Sequence, residues 1–395
     1  MWRVFETFID QFRNRNPLPY RVFVDREEVS YVPLSKKQGI FVYFSFAVFV
    51  LHTIYCFLRV VWLWKTEVWR QNQDQDLEII RTYLLLFLTF LPLSFASMGV
   101  IISMRASIAV YIMNPLLGLK MLANEIRKRS DDTKGNLSPP NYTILINAMK
   151  FQLWLSNYPF PAIFVRIVVF QIDPLYPAVT SMISMVTSSP LIFASYTIRT
   201  ILALIYLNEL LKAVNAFFIV GLLVVCSVSQ VIQILNSLKS KKGIWNVRTL
   251  TMREIKLYRQ LMIWMEFTNQ KFCCLAVPPL IFFGVSFLIF GIYGTIRMRN
   301  QVQILLYLVV PIATLLAFLF VVLLIPEAAK VFERSNFYLC RTKMDLRRGT
   351  WEGKVARSLR PLGIQIGPFG LVKNNLMKIV IRVLTEHTMT LLITF

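Results

Sequence analysis

The sequence predicts an all-α membrane protein of seven transmembrane helices, with a cytoplasmic N-terminus, an extracellular C-terminus and long cytoplasmic helix extensions. Three observations carry that prediction. The 395 residues are 56% hydrophobic and only 16% charged, with a mean hydropathy of +0.56, which no ordinary soluble domain matches. Seven stretches are apolar over about 20 residues or more, the length needed to cross roughly 30 Å of hydrocarbon. The lysines and arginines, finally, fall in alternate connecting segments rather than evenly along the chain.

Residues 1–38 are read as a cytoplasmic N-terminus. They hold no central apolar run of the kind a cleavable leader needs, so the first span is expected to direct insertion itself. Within them "MWRVFETFIDQF" sets Trp2, Phe5, Ile9 and Phe12 on one helical face, which fits a short helix lying on the inner leaflet; a frayed terminus is the other reading.

The apolar stretches are 39–64, 79–104, about 150–171, 190–236, 273–296, 302–325 and 376–395. The fourth is long enough for one helix or for two hinged near "LNELLKAVN", and charge placement decides between them. Arg3, Arg13, Arg15, Arg21, Arg26, Lys36 and Lys37 precede the first span, whereas the next loop has two basic residues against four acids. The segment 105–149 is basic again, and "QIDPLYPAVTSMISMVTSS" has no Lys or Arg. Eight basic residues lie in 237–272 and ten in 326–375. Cytoplasmic loops carry the Lys and Arg excess, and only a single crossing by 190–236 puts every basic segment on that side. One long helix is therefore expected there, crossing the membrane and continuing into the cytoplasm with its lower half buried in protein. The two sequons at Asn136 and Asn141 then lie inside, beyond reach of glycosylation.

This orientation is opposite to that of a seven-span receptor coupled to a cytoplasmic partner, which is one alternative; a transporter, with internal repeats and broken helices, is the other. Pro92, Pro161 and Pro311 interrupt spans, but no convincing repeat is visible. The five cysteines avoid the loops assigned outside, so no disulfide framework is expected. With two histidines, His52 and His387, and no HExxH, CxxC, GxSxG or Gly-rich phosphate loop, an enzyme, a metal site and a bound cofactor are not expected. The formal charge of +22 follows the topology and does not indicate nucleic acid.

Three stretches carry a family resemblance. "REIKLYRQLMIWMEFTNQKF" holds Tyr258, Arg259, Leu261 and Asn269; "SLRPLGIQIGPFGLVKNNLMKIVIRVL" is a short glycine-containing segment leading into the last helix; and the chain ends in "EHTMTLLITF". These resemble the arthropod chemoreceptor superfamily of gustatory and odorant receptors. Its gustatory members close with Thr-Tyr, five apolar residues and Gln-Phe. Here His387 and Thr388, the run Met389 to Ile393, then Thr394 and Phe395 take those places, so the chain resembles a divergent member.

The resemblance implies a single seven-helix domain over 1–395, with spans and loops at 39–325, a cytoplasmic loop at 326–375 and a pore helix at 376–395. It implies a ligand-gated cation channel for taste or odour in the plasma membrane of a sensory neuron dendrite. The assembly would be a homotetramer or a heterotetramer with a related subunit, joined by an anchor domain made of the cytoplasmic extensions.

On the last helix Lys378, Arg382, Glu386, Thr390 and Thr394 recur every four residues and form a polar stripe. Facing a fourfold axis, Glu386, Thr390 and Thr394 would line a pore, with Leu391 and Phe395 among the apolar candidates for its gate. Otherwise Arg382 and Glu386 pair on the helix and the threonines bond to their own backbone. For a small-molecule ligand in the outer half of the bundle, the aromatic candidates are Tyr83, Phe87, Phe90, Phe164, Tyr196, Phe287, Tyr293 and Tyr307. Arg166 and Arg199, charges at membrane depth, would pair with acids, snorkel or meet a polar ligand.

Overall fold

The computed structural model describes residues 2–15, 20–25, 28–33, 36–65, 75–104, 106–130, 143–169, 173–176, 179, 189–240, 247–299, 304–346 and 349–394. Phe395, Asn136 and Asn141 lie outside them. Helix α1 (Trp2–Arg15) buries Val4, Phe5, Phe8 and Ile9 in the main hydrophobic core and packs on the long central helix. The described part of its apolar face is thus covered by protein, not laid on a leaflet as the sequence reading had it. A second correction follows at once, because the chain is not wholly helical. Strands β1 (Tyr20–Asp25) and β2 (Glu28–Pro33) pair antiparallel, with Tyr20 opposite Pro33 and Asp25 opposite Glu28. "YRVFVD" and "EVSYVP" are rich in valine, tyrosine and phenylalanine, the β-branched and aromatic side chains that favour strands.

Two long apolar helices follow, α2 (Lys36–Lys65) and α3 (Gln75–Met104). The stretch after them, expected as loop, is mostly helix α4 (Ala106–Ser130), whose indole partner is Trp264: Nε1 donates to the Ile112 carbonyl at 3.0 Å. The third apolar stretch is built of two helices, α5 (Thr143–Asn157) and α6 (Pro159–Val169), joined at Tyr158, whose N–H still bonds to the Trp154 carbonyl at 3.3 Å. Pro159 has no N–H to give and its ring disfavours helical backbone at Tyr158, so the rod is interrupted there, with proline at the first position of α6.

Helix α7 (Ser189–Ser240) is continuous over 52 residues, about 78 Å at 1.5 Å each and far more than one bilayer. The single long helix deduced from charge placement is therefore what forms. Nearly all of Leu210 to Ser229 is buried, against α4, α1 and the later helix α11. At the suspected hinge, Glu209 and Lys212 are 3% and 2% exposed and pair at 2.7 Å. Each charge offsets the other's desolvation, and the helix runs through.

Helix α8 (Val247–Thr268) passes through a π turn, Asn269–Cys273, into α9 (Cys274–Arg297). A short turn, α10 (Ile304–Tyr307), leads to α11 (Val309–Asp345), then come α12 (Trp351–Ser358), a 3-10 turn at Gly367–Phe369, and α13 (Asn374–Thr394). The segment expected as a cytoplasmic loop at 326–375 is thus largely helical at its start. Helix α9 packs along α3 and α11, and α13 packs on α9 and α11.

Among the described residues, five helical stretches are long and apolar enough to cross a membrane: Gly39–Leu63, Thr82–Ile101, Phe193–Leu238, Met252–Arg297 and Val310–Asp345. The chain is a multi-pass membrane protein. The other two expected spans are not single apolar helices of that kind: one is broken at Pro159, and α13 carries Lys378, Arg382 and Glu386.

The approach of α9 to α11 depends on Gly291. A Cβ there would lie 2.2 Å from Thr314 Oγ1 and 3.1 Å from Thr314 Cβ, so rotating the threonine cannot relieve both. Overpacking of this kind costs about 1–3 kcal/mol, more than the roughly 1 kcal/mol that alanine gains in helix propensity. Gly291→Ala is expected to lower the thermal midpoint of the detergent-solubilised protein, and Thr314→Ala added to it to recover part of the loss.

Candidate functional site

Helices α3, α5, α6, α7, α9 and α11 enclose a cavity of about 110 Å³. The period of 3.6 places Leu84, Phe87, Leu88, Leu91 and Phe95 of α3 on one inward stripe, and all five line it. Phe160, Phe164 and Ile167 of α6 close another side, because the restart at Pro159 turns that face inward. Phe287 of α9 and Phe320 of α11 complete the aromatic wall. The Phe87 and Phe287 rings meet across it at a tilt of 51°, with centroids 4.1 Å apart, and Phe218 stacks on Phe320 at 3.7 Å.

A second apolar cavity, of about 140 Å³, lies alongside and shares Leu91, Phe95, Phe218, Phe287, Ala317 and Phe320 with the first. Its far wall is built from Ile364 and Val372 of the segment before α13, and from Leu376 and Val380 of α13 itself. A small set of aromatic side chains thus separates the first cavity from the packing of the last helix.

Of the residues expected to contact ligand, the structure brings Phe87, Phe164 and Phe287 to the first cavity. The others lie elsewhere. Tyr83 stacks on Tyr293 at 5.9 Å, and Tyr307 donates from its hydroxyl to the Thr295 carbonyl at 2.9 Å. Phe90 stacks on Phe290 at 5.3 Å. Arg166 is exposed, off the α6 face that meets the cavity. Arg199 is buried and occupied: its guanidinium pairs with Asp173, with Nε to Oδ2 at 3.1 Å, while the rings of Tyr176 and Tyr196 lie 4.9 and 5.4 Å from its Cζ. Asp173 comes from "QIDPLYP", and Tyr55 donates to the Pro174 carbonyl at 3.0 Å, so Arg199 serves to fix that segment to the bundle. The aromatic criterion missed Gln152 of α5 and also Val214 and the leucine rows, of which the last two could have been supplied by helical periodicity on α3 and α7.

On α13, Lys378, Arg382, Glu386, Thr390 and Thr394 are all exposed. Arg382 Nε donates to Glu386 at 2.6 Å, with the two side chains 78% and 57% exposed. Thr390 and Thr394 each donate at 2.8 Å to the carbonyl four residues back. These are the local pairings anticipated as the alternative to a pore lining, and an exposed pair of this kind contributes little. The opposite face, with Val380 and Leu384, is buried against α9 and α11. Leu391, expected at a pore gate, belongs to this inner face and packs with that cluster.

The two internal motifs meet each other. The Leu362 N–H donates to Ser335 Oγ at 2.6 Å, Ser335 Oγ and Tyr258 Oη lie 2.7 Å apart, and Tyr258 donates to the Arg360 carbonyl at 2.9 Å. With one proton per hydroxyl, the chain runs in a single direction from Leu362 to Arg360. About three turns further, in the π turn, Asn269 Nδ2 donates to the Gly363 carbonyl at 2.9 Å and its Oδ1 accepts from the Gln365 N–H at 3.1 Å. Gly367 then turns the chain back at φ 48°, where an added Cβ would lie 2.9 Å from Pro278.

This is the fold of the insect olfactory receptors. The structure of olfactory receptor OR5 from Machilis hrabei in complex with eugenol matches 100% of this chain and 98% of its own, with a TM-score of 0.60 at 12% identity. A second structure of OR5 matches 99% of this chain and 98% of its own, with a TM-score of 0.56 at 13% identity. No protein-family model and no curated protein matches the sequence, so the likeness is one of fold.

The hydroxyl relay gives a direct test. Tyr258→Phe and Ser335→Ala should each lower stability by about 1–3 kcal/mol, the cost of a buried polar group left without its partner. The double variant should lose less than the sum, because both act on one relay. Thermal unfolding of the four proteins in one detergent measures the cycle.

Proposed function

We propose that the chain is a chemosensory receptor subunit of the insect olfactory and gustatory superfamily, a ligand-gated cation channel and not an enzyme. A small apolar molecule occupies the first cavity, with Phe87, Phe164 and Phe287 against it. The observation that carries this reading is the continuity of packing from that cavity, through shared aromatic side chains, to Leu376 and Val380 of α13. A ligand that prefers one arrangement of Phe218 and Phe287 shifts the packing beside the last helix, and so the balance of closed and open states.

In this reading seven segments cross the plasma membrane, the α5 and α6 pair and α13 among them, and four copies assemble about an axis. The exposed polar stripe of α13 turns toward that axis, where Glu386, Thr390 and Thr394 form rings; Phe395 follows them in sequence. The ends of α7 and α11 and the whole of α8 form the cytoplasmic anchor. The low charge of the segment before α7, against the basic residues around α8 and α12, supports this orientation. A terminal tag at Met1 is therefore expected to be inaccessible in intact cells, with Asn136 and Asn141 unglycosylated; modification at either site overturns the orientation.

Channel activity is tested by whole-cell recording in cells expressing the chain, alone and with a related subunit. Ligand-evoked cation current is expected. Glu386→Gln should change the sodium-to-calcium permeability ratio or the block by divalent cations, with surface abundance unchanged. Identical selectivity would take Glu386 off the pore.

A further inference from the structure

The second cavity, between α7, α9, α11 and the segment before α13, is walled by side chains that offer nothing to a polar molecule. Among the described residues only Ser94 and Thr268 bring hydroxyls to it, and each is spent on its own helix: Ser94 donates to the Phe90 carbonyl at 2.8 Å and Thr268 to the Trp264 carbonyl at 2.9 Å. The rest of the wall is aliphatic and aromatic, with Cys273 and two glycines. An ordered buried water needs two to four polar partners, which this wall does not supply; a dry apolar cavity of about 150 Å³ takes up benzene instead. This one is about 140 Å³.

The two glycines are an independent sign that room is kept there. Glycine inside a helix is less favourable than alanine. At Gly291 the close approach of α11 accounts for it, but Gly221 of α7 and Gly284 of α9 have no such neighbour. A Cβ on Gly221 would meet no heavy atom within 4 Å, and one on Gly284 only Leu280 Cδ1 at 3.9 Å and Ser94 Oγ at 4.0 Å, which are ordinary contacts. Both line the second cavity, so what a side chain at either position would remove is its volume. An occupant would also bear on the segment that aims the last helix. Ile364 and Val372 form that part of the wall, tied to each other by the Val372 N–H, which donates to the Ile364 carbonyl at 2.9 Å; Leu376 and Val380 continue the wall on α13.

We propose that the second cavity is a binding site in its own right, for an uncharged molecule of about the size of benzene that has no hydrogen-bonding group, held between Gly221, Gly284 and the segment leading into α13. The site stands apart from the reading of the first cavity as a ligand site. A lipid acyl chain shares the same apolar chemistry, and the experiment separates the two sources.

The test is photolabelling of the purified full-length protein in lipid nanodiscs with ethyl methyl diazirine, a small apolar molecule that inserts into neighbouring side chains on irradiation, with the labelled positions read by peptide mass spectrometry. Label is expected at Ile364 and Val372, displaced by excess benzene and about tenfold less readily by phenol, whose hydroxyl finds no partner on this wall. In Gly221→Leu, which fills the space from α7, that label should fall to background while label at Phe164 of the first cavity persists. The double variant Gly221→Ala with Gly284→Ala, whose added methyl groups meet only ordinary contacts, should lower the label in the same direction and serves if the leucine variant does not fold. Label confined to lipid-facing side chains and not displaced by benzene, the pattern of a cavity filled by an acyl chain, overturns the proposal. So does label at Ile364 and Val372 that both variants leave unchanged. Label there without label at Phe164 upholds the proposal and overturns only the reading of the first cavity.

Discussion

The backbone between Ser358 and Asn374 has no continuous helical or sheet ladder to satisfy its N–H and C=O groups, yet it is pressed into the protein and aims α13. Some of its polar atoms pair within the segment, Ile366 N–H with the Gly370 carbonyl and Val372 N–H with that of Ile364, and others are answered by side chains from α8, the π turn and α11. Tyr258 and Ser335 take Arg360 and Leu362, and Asn269 takes both Gly363 and Gln365. Every orphaned buried group would cost about as much as the hydrogen bond it lacks. The position of the last helix is thus fixed by a hydrogen-bonded strap more than by the apolar contacts that α13 makes, which alone would allow it to slide.

The strap gives the rest of the bundle something to act against. Apolar packing between spans is non-directional, and neighbouring helices lose little by exchanging protein for lipid. What gives the helices a defined register is therefore polar. Glu209 and Lys212 neutralise each other in the middle of α7, Arg199 and Asp173 hold "QIDPLYP" at the other end of the bundle, and Tyr206 donates to the Leu88 carbonyl of α3 at 3.0 Å. Between these fixed points the wall of Phe218, Phe287 and Phe320 is purely apolar, the part of the interior best able to change rotamers when its neighbour cavity is filled. A rigid frame around a soft aromatic partition is an arrangement in which ligand binding can be felt at α13.

Identity of 12% with a protein of the same fold is understandable in these terms. The bundle requires apolar volume at the right period, and many side-chain sets supply it. The strap is more demanding, because it needs a hydroxyl, an amide and a tight turn at particular places. Two of the three stretches where the sequence resembled a family, those around Tyr258 and Asn269 and around Gly367, supply this strap.

Much of the architecture was legible in the letters. Span length, the Lys and Arg placement and the uninterrupted apolar run made α7 a single helix, because insertion energetics act on segments and are additive along the chain. The same letters contained the β-branched and aromatic residues of the β1–β2 hairpin and the proline that interrupts the helix at Tyr158, which global hydrophobicity obscured. The ligand-facing set was not legible: Phe87 and Phe90 are equally aromatic and three residues apart, but only the rotation of α3 puts the first on the cavity and the second against Phe290. Nor did the sequence show that Leu391, one of the apolar candidates for a pore gate, packs with Val380 and Leu384, or that Arg199 is spent on Asp173. The sequence by itself determined the lengths, the sidedness of charge and the class of fold, since each is a sum over local properties. Which faces meet, and therefore which polar atoms find partners, only the tertiary structure decided, because that depends on residues far apart in the chain, such as Tyr258 with Arg360 and Tyr206 with Leu88.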